Sequence, residues 1–278
     1  MGRTIVVGAD GSARSRAAAD WAAREALRRG LLLQVVHVSE PSGTDLSEPW
    51  HCLPKIPPGR TVAELTSCPA ELTVEEVRID GEPAPELLAL GTSAELLVLG
   101  LRGAGGFAGL TVGSVARAVT ECSVRPVVLV PGGPACTGTG WRTDKVALGI
   151  DARHPDDTAV DFAFDRASRP NARLRAVHAW RMPEPDGSLS SFAAPDRDRA
   201  AREDDEVQLL SDALCPWREK YPQVRVLEDV VLFDAGEALV RASGRAELLV
   251  AGRRGSRLGT AVNRLVEQAG CPVAVVPA

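Results

Sequence analysis

Apolar residues follow two alternating patterns along the chain. Short unbroken apolar runs, such as the one that ends at Asp10, predict strands buried on both faces of a sheet. Between these runs, apolar residues recur every three or four positions, which predicts amphipathic helices, the first of which ends at Gly30. Strands and helices that alternate in this way predict parallel sheets with helices on both faces.

The helical pattern recurs along most of the chain. A counterpart of the first helix covers 159–167, and further helices are predicted over 83–91, 114–122, 196–219, 236–243 and 260–269. The stretch 40–69 is rich in Pro, Ser and Gly, so we expect it to be irregular, with at most one short helix near 62–66. The long charged helix over 196–219 is expected to be a solvated cover rather than a docking surface.

Four apolar runs of the first half recur in the second half. The runs at 5–10, 33–38, 94–100 and 125–131 match those at 146–151, 174–179, 246–252 and 271–277. The spacing agrees as well, because His37 follows Asp10 by 27 residues and His178 follows Asp151 by 27. The chain is therefore a tandem duplication. Its linker-like composition over 132–140 predicts one domain at 1–133 and a second at 141–278.

The composition is that of a globular protein without affinity for nucleic acid. Of the 278 residues, 32 are basic and 37 acidic, and the net charge of −5 leaves no excess positive charge for a phosphate backbone. The sequence shows neither a secretory signal pattern nor a run of about eighteen apolar residues, so we expect a cytoplasmic protein. The six cysteines form no Cys-x-x-Cys pair, and we predict no metal site, with His51, Cys52 and Cys68 as a minor alternative.

Glycines cluster after the strand that ends at Gly100, and a predicted helix follows them. Gly103 and Gly113 lie in this stretch, and Ser114 stands at the helix start. Glycines can adopt positive φ and approach an anion closely, and a helix N-terminus offers N–H groups and the positive end of a dipole. The stretch therefore indicates a phosphate-binding loop. The alternative is a flexible turn in which Ser114 only caps the helix.

The spacing of these residues matches that of a known family. Three glycines and a serine fit the pattern Gly-x2-Gly-x9-Gly-Ser/Thr without a gap: Gly100, Gly103, Gly113 and Ser114. Together with the opening 7–12 and the closing 125–130, they make the chain resemble tandem universal stress proteins nearly from end to end. The resemblance implies an α/β fold of two tandem doubly wound parallel five-stranded sheets, Rossmann-like and similar to the adenine nucleotide alpha hydrolase fold, packed as a pseudo-twofold pair.

The resemblance also implies the ligand, which is ATP, with or without Mg²⁺, held in the first half. The residues at the family's binding positions are Ala9, Asp10, Val38, Gly100, Arg102, Gly103, Gly113, Ser114 and Val115. In the family, the aspartate contacts the adenosine, and the backbone after the histidine of the second strand contacts adenine. In the absence of a ligand role, Asp10 would be an N-cap, and we interpret His37 as a packed strand residue rather than a catalyst.

The second half departs from this pattern in its loop. The residues that match the family there, and that form the candidate second binding site, are Asp151, Gly252, Gly255, Gly259 and Thr260. Only three residues separate Gly255 from Gly259 where the pattern has nine, so six are missing. A shortened loop cannot wrap a triphosphate in the same way, although Arg253 and Arg254 could compensate by pairing with phosphates.

The expected function is that of a cytoplasmic ATP-binding stress protein with a nucleotide-dependent regulatory role. The loop has no Walker lysine and no obvious acidic pair beside it, so we assign no catalytic residue and expect at most slow ATP hydrolysis. The alternative is a nucleotide-free interaction or dimerisation module of the same family. A flavin or nucleotide-transfer enzyme has no supporting motif.

The last strands of the two halves, 127–130 and 273–276, would be exposed sheet edges unless paired. Because such strands mediate dimerisation in the family, the resemblance implies that they pair within this chain and that two chains can associate further as a homodimer. The expected partners are therefore an adenine nucleotide and a second copy, and neither nucleic acid nor a membrane.

Overall fold

Strands and helices alternate along the chain. The structure, a computed structural model, describes residues 3–39, 72–103, 111–132, 144–168, 173–182 and 196–278. Its strands are β1 (Thr4–Gly8), β2 (Leu32–Ser39), β3 (Val74–Asp80), β4 (Leu96–Gly100), β5 (Val127–Val130), β6 (Asp144–Gly149), β7 (Arg173–Trp180), β8 (Arg225–Leu232), β9 (Ala246–Arg253) and β10 (Val273–Pro277). Its helices are α1 (Ala13–Arg29), α2 (Pro83–Gly91), α3 (Ser114–Cys122), α4 (Asp157–Ala167), α5 (Asp196–Lys220), α6 (Ala235–Ser243) and α7 (Thr260–Gln268).

The strands form one ten-stranded sheet in the order β3-β2-β1-β4-β5-β10-β9-β6-β7-β8. Neighbouring strands are parallel within each half, and both halves use the same strand order. At the centre β5 and β10 pair antiparallel, with Val128 opposite Ala274, so the halves face each other across a pseudo-twofold axis. The predicted fold class, two tandem doubly wound sheets of five parallel strands, is confirmed.

The predicted elements agree with the observed ones except at the sheet edges. The helices predicted over 83–91 and 114–122 match α2 and α3 residue for residue. The edge strands β3 and β8 are not among the repeated apolar runs, because charged residues such as Glu75 and Glu76 interrupt them. Charged side chains are common on edge strands, where they discourage pairing with another chain. The helix predicted near 62–66 lies outside the described residues.

Each face of the sheet carries an apolar core that contains residues of both halves. Helices α1, α4 and α5 cover one face, and α2, α3, α6 and α7 cover the other. Leu210 and Leu214 of α5 are fully buried, and Phe164 stacks on Tyr221 with ring centroids 5.8 Å apart. The expectation of a solvated cover therefore holds only for the outer face of α5. None of the described helices has the length and apolar character that a membrane span requires.

A buried ion cluster joins α1 of the first half to α4 of the second. The fully buried carboxylate of Glu25 lies 2.6 Å from Arg29 Nε and 3.3 Å from Arg166 Nη2. Burial disfavours the charged carboxylate, but the guanidinium groups of Arg166 and Arg29 outweigh this effect and hold the pKa of Glu25 below its ordinary value. The two halves are therefore connected by a specific charged contact in addition to their apolar cores.

Candidate functional site

The carboxyl ends of β1 and β4 bring together two residues that are far apart in the sequence. Asp10 follows β1, and Gly103 follows β4. A Cβ atom built on Gly103 would lie only 2.6 Å from Asp10 Oδ2, so the carboxylate packs directly on the glycine. The other carboxylate oxygen, Oδ1, accepts a hydrogen bond from the Ser12 N–H at 3.0 Å. Both residues thus border one crevice at the edge of the sheet where ligands bind in open α/β folds.

Helix α3 begins close to Gly103. Its N-cap is Gly113, which is extended (φ −72°, ψ 154°), and none of the described side chains caps the helix. The Gly113 N–H donates to the Leu101 carbonyl at 2.8 Å, which ties the helix start to the end of β4. Ser114 is the first helical residue, so the part of the alternative in which its hydroxyl caps the helix is wrong. The first turn therefore presents backbone N–H groups and the positive end of the helix dipole without a side-chain cap.

The loop glycines provide space rather than an unusual backbone conformation. Among the described glycines, positive φ occurs at Gly11, Gly30 and Gly255, and not at Gly100, Gly103 or Gly113. A Cβ atom on Gly100 would lie 3.0 Å from the Arg14 carbonyl carbon, and one on Gly103 would strike Asp10. A Cβ atom on Gly113 would lie 3.5 Å from its nearest neighbour, which is an ordinary contact distance. A side chain at Gly100 would therefore press on the backbone of α1, and one at Gly103 would displace the Asp10 carboxylate.

Ser12, and not Asp10, caps the start of α1. Ser12 Oγ accepts a hydrogen bond from the Ser15 N–H at 3.1 Å, so the alternative role of Asp10 as the N-cap is wrong. On β2, His37 Nδ1 lies 2.8 Å from the Ala9 carbonyl oxygen. The imidazole thus holds the backbone immediately before Asp10, which agrees with a structural role for His37.

The remaining predicted residues of the first half lie on the elements that surround the crevice. Val38 is half-buried on β2, and Val115 is half-buried in the first turn of α3. The Cα atom of Arg102 lies 3.5 Å from a Cβ atom built on Gly113. The residues 104–110, between the two predicted glycine positions, lie outside the described part of the chain.

Metal-binding clusters are absent from the described part of the chain. There, no group of three or more His, Cys, Asp or Glu side chains could hold a metal ion. The minor alternative of His51, Cys52 and Cys68 lies outside the described residues.

The equivalent crevice of the second half contains a cavity of about 450 Å³. It lies at the carboxyl ends of β6, β7 and β9, beside the first turns of α6 and α7. Asp151 and Gly252 line this cavity, whereas Gly255, Gly259 and Thr260 are not among the described residues that line it. Its lining combines polar and charged residues such as Arg153, His178 and Arg181 with apolar ones such as Ile150, Val177 and Leu239.

The charged residues near Asp151 are engaged within the protein. The Asp151 carboxylate lies 3.4 Å from His154 Nδ1 and 4.0 Å from Arg254 Nη1. Arg253 turns towards the first half, where its Nη2 donates to the Ser123 carbonyl at 2.6 Å. The Arg253 guanidinium binds backbone carbonyls and Arg254 lies beside a carboxylate, which disfavours the possibility that these arginines compensate for the shortened loop.

A buried histidine–glutamate pair lies beside this cavity. His178 Nε2 is 3.1 Å from Glu206 Oε2, and Arg153 binds the same carboxylate. His178 Nδ1 is 3.2 Å from the Ile150 carbonyl, the equivalent of the contact between His37 and Ala9. Sequence reasoning missed Glu206 because one glutamate in a charged helix gives no signal of its own.

Trp180 and Arg181 complete the lining of the cavity at the end of β7. Trp180 is only 6% exposed, and its Nε1 has no hydrogen-bond partner among the described residues. Arg181 forms an ion pair with Asp234, the N-cap of α6. The backbone N–H of Glu237, together with Arg181, holds the pKa of Asp234 below its ordinary value, so this ion pair is charged at neutral pH. Trp180 and Arg181 gave no signal in the sequence, because neither belongs to a recurring pattern.

Comparison with known proteins identifies relatives over nearly the whole chain. The model of the universal stress protein family matches residues 1–131 and again residues 142–277. A universal stress protein of Mycobacterium tuberculosis (strain ATCC 25618 / H37Rv) is 30% identical, and the match covers 98% of this chain and 96% of that protein.

Solved structures of universal stress proteins are also similar to this chain. A universal stress protein from Archaeoglobus fulgidus DSM 4304 has a TM-score of 0.62 at 15% identity, covering 99% of this chain and 98% of that chain, which shows a shared fold. A universal stress protein solved in complex with cAMP matches 48% of this chain and 99% of its own at 26% identity, with a TM-score of 0.37. On the evidence of its two family matches and its full-length relative, the chain belongs to the universal stress protein family.

Proposed function

We propose that this universal stress protein binds ATP in its first half. The observation that supports this most directly is the contact of Asp10 with Gly103 close to the uncapped start of α3. A carboxylate can accept hydrogen bonds from sugar hydroxyls, and an uncapped helix N-terminus attracts phosphate. The crevice thus combines an acceptor for the nucleoside with donors for the phosphates.

Nucleotide occupancy then provides the regulatory signal. A ligand present at one hundred times its Kd stabilises the protein that binds it by about 2.7 kcal/mol. The Gly113 N–H joins α3 to the end of β4, so bound phosphate would stabilise the loop and the helix together. The proposed role is therefore ATP-dependent stabilisation of the first half, and not turnover of ATP.

Substitution of Gly113 by phenylalanine tests this proposal, with Gly259→Phe as the matched control. Both glycines are extended N-caps, with φ −72° and ψ 154° at Gly113 and φ −62° and ψ 158° at Gly259. Among the described residues, neither position has a neighbour closer than 3.5 Å to a built Cβ atom, so a side chain can start at both. The phenyl ring at position 113 would occupy the start of α3, where the phosphates are proposed to bind.

Thermal unfolding with and without millimolar ATP and Mg²⁺ is the measurement. We expect ATP to raise the Tm of the natural chain and of Gly259→Phe, and to leave the Tm of Gly113→Phe unchanged. A natural chain that ATP does not stabilise would refute the proposal in favour of a nucleotide-free interaction module.

The proposal also concerns how the protein assembles and where its two domains begin and end. The pairing of β5 with β10 occupies, within one chain, the strands that mediate dimerisation in the family. A homodimer of this chain, which stays a prediction, would therefore use another surface. The domain limits 1–133 and 141–278 and the cytoplasmic location also stay predictions.

A further inference from the structure

Another cavity of the second half lies outside the crevice that contains Asp151. Its volume is about 490 Å³, and β7, the edge strand β8 and α6 provide its lining, so we call it the β8 cavity. Helix α6 separates it from the crevice, because Leu239 lines the crevice while Ala238 and Ala242 line the β8 cavity. Val177 is the one described residue that lines both.

Apolar side chains of the sheet line part of the β8 cavity. Val177 lies on β7 and Val231 on β8, and the half-buried Phe233 follows β8. The guanidinium carbon of Arg241 lies 4.1 Å from the centre of the Phe233 ring, which holds the ring beside the cavity. A volume of about 490 Å³ is within the range of about 300–1,000 Å³ that is usual for small-molecule sites. The β8 cavity can therefore hold the apolar body of a small molecule.

Three arginines and one carboxylate also line the β8 cavity. Arg175 Nη1 lies 2.9 Å from Asp229 Oδ2, and Arg241 Nη2 lies 3.1 Å from Glu237 Oε1, so both guanidinium groups have a carboxylate partner. Arg245 is exposed and forms no ion pair with a residue of the described ranges. The cavity thus has one positive charge that no described carboxylate neutralises, and one negative charge on a ligand would balance it.

The charged residues of the β8 cavity are specific to the second half. Counted from the repeated runs, the first half has at the three positions equivalent to the arginines Gln34, Ala89 and Ser93. The equivalent of Asp229 is Val77, since each pairs with a matching valine of the neighbouring strand. Both halves form the same five-stranded sheet, so the fold does not require these charges. Their presence in one half alone favours a binding role over a structural one.

We propose that the β8 cavity binds a small organic monocarboxylate, with its carboxylate on the Arg245 guanidinium. The planar guanidinium can donate two parallel N–H···O hydrogen bonds to a carboxylate. The apolar body of the ligand contacts Val177, Val231 and Phe233. A dianion such as a phosphate monoester fits less well, because Arg245 supplies only one unneutralised charge. The proposal does not depend on ATP binding in the first half.

Calorimetric titration of the full chain with cinnamate and with its uncharged counterpart cinnamamide tests the proposal. We expect the natural chain to bind cinnamate about tenfold more tightly, as for a hydrogen bond to a charged group. Arg245→Gln should lose this tenfold preference and keep its affinity for cinnamamide. The control Arg257→Gln removes the same charge from another exposed arginine, which does not line the β8 cavity, and should leave both affinities unchanged.

A second variant tests where the apolar body binds. Phe233→Leu makes the apolar wall smaller, so we expect it to weaken cinnamate and cinnamamide alike, by about threefold. Saturating ATP should leave both affinities unchanged. Equal cinnamate affinity in Arg245→Gln and the natural chain, no binding at millimolar cinnamate, or displacement of cinnamate by ATP would each overturn the proposal. Failure of ATP to bind would refute the proposed function alone, because the titrations without ATP still report the dependence on Arg245.

Discussion

The two halves form the same crevice at the same strand ends but place different groups around it. In the first half, Asp10 packs on Gly103, and the helix that follows starts without a side-chain cap. In the second half, Asp151 lies between His154 and Arg254, and the loop is six residues shorter. The difference teaches that the duplicated sheet preserves the location of a site, while loop length and local charge decide what it can bind.

The histidine of the second strand shows both conservation of the fold and divergence of the site. His37 and His178 each place Nδ1 near the backbone carbonyl that precedes the aspartate, at 2.8 Å from Ala9 and 3.2 Å from Ile150. His178 also pairs with the Glu206 carboxylate on α5. The contact with the carbonyl is common to both halves, and the contact with the glutamate is an addition in the second.

The largest expected effect comes from breaking the contact that joins the halves. Glu25→Ala removes a fully buried carboxylate from the Arg29 and Arg166 guanidinium groups, and loss of one partner of a buried ion pair costs about 3–5 kcal/mol. Urea unfolding measures this loss. The control is Asp165→Ala, since Asp165 lies 3.9 Å from Arg29 with 54% of its side chain exposed, and should change stability by less than about 1 kcal/mol. Equal effects of the two variants would contradict the account.

The Glu25 carboxylate should make the contact between the two halves weaker at acidic pH. The pKa of Glu25 in the folded chain lies below its ordinary value of 4.5, so its contribution to stability is complete above that pH and is lost as the pH falls through the folded-state pKa. Glu25→Gln has no charge to titrate at this position. We expect it to lose less unfolding free energy than the natural chain between about pH 5 and pH 3. Urea unfolding over this pH range measures the loss. Equal losses of unfolding free energy in the natural chain and in Glu25→Gln would argue against an ionised Glu25.

A smaller effect, on ATP affinity, should distinguish the equivalent aspartates Asp10 and Asp151. Asp10→Ala removes the carboxylate that borders the proposed ATP site, and we expect ATP affinity to fall about tenfold, as for loss of a hydrogen bond to a charged group. Asp151→Ala, the same change at the equivalent position, should leave ATP affinity unchanged. Equilibrium titration of both variants with ATP measures these affinities. A similar loss of affinity in each variant would indicate that ATP binds in both halves.

The smallest expected change in unfolding free energy concerns the N-caps of α1 and α4, the first helices of the two halves. Ser12→Ala removes the cap of α1 and should cost about 1 kcal/mol of unfolding free energy. Asp156 caps α4 through Oδ1, but its Oδ2 is buried and has no hydrogen-bond partner among the described residues. Asp156→Ser keeps a capping oxygen and removes the second one, so we expect no loss of stability in urea unfolding. A loss as large as that of Ser12→Ala would show that Oδ2 has a stabilising role.

The central part of the fold could be predicted from the sequence because burial on both faces leaves unbroken apolar runs. The runs at 5–10 and 146–151 predicted β1 and β6, and their spacing to the histidines revealed the duplication. The edge strands β3 and β8 could not be found in this way, since the charged residues on them hide the apolar pattern. The resemblance to a family, rather than the pattern, indicated that each sheet has five strands.

The candidate site could be predicted only where its residues follow a linear pattern. The glycine spacing identified Gly103 and Gly113, but it could not show that Asp10 packs on the first of them. Glu206 and Trp180 belong to no pattern, because their roles arise from the packing of α5 and β7 around the second crevice. Contacts between distant segments therefore needed the structure.

The central claim is that the first half binds ATP and the second half does not. Isothermal titration of the nucleotide-free chain with ATP and Mg²⁺ tests this most directly, because it gives the number of sites as well as the affinity. The account predicts one ATP per chain, lost in Gly113→Phe and retained in Gly259→Phe. Two ATP molecules per chain, or none at millimolar ATP, would contradict it.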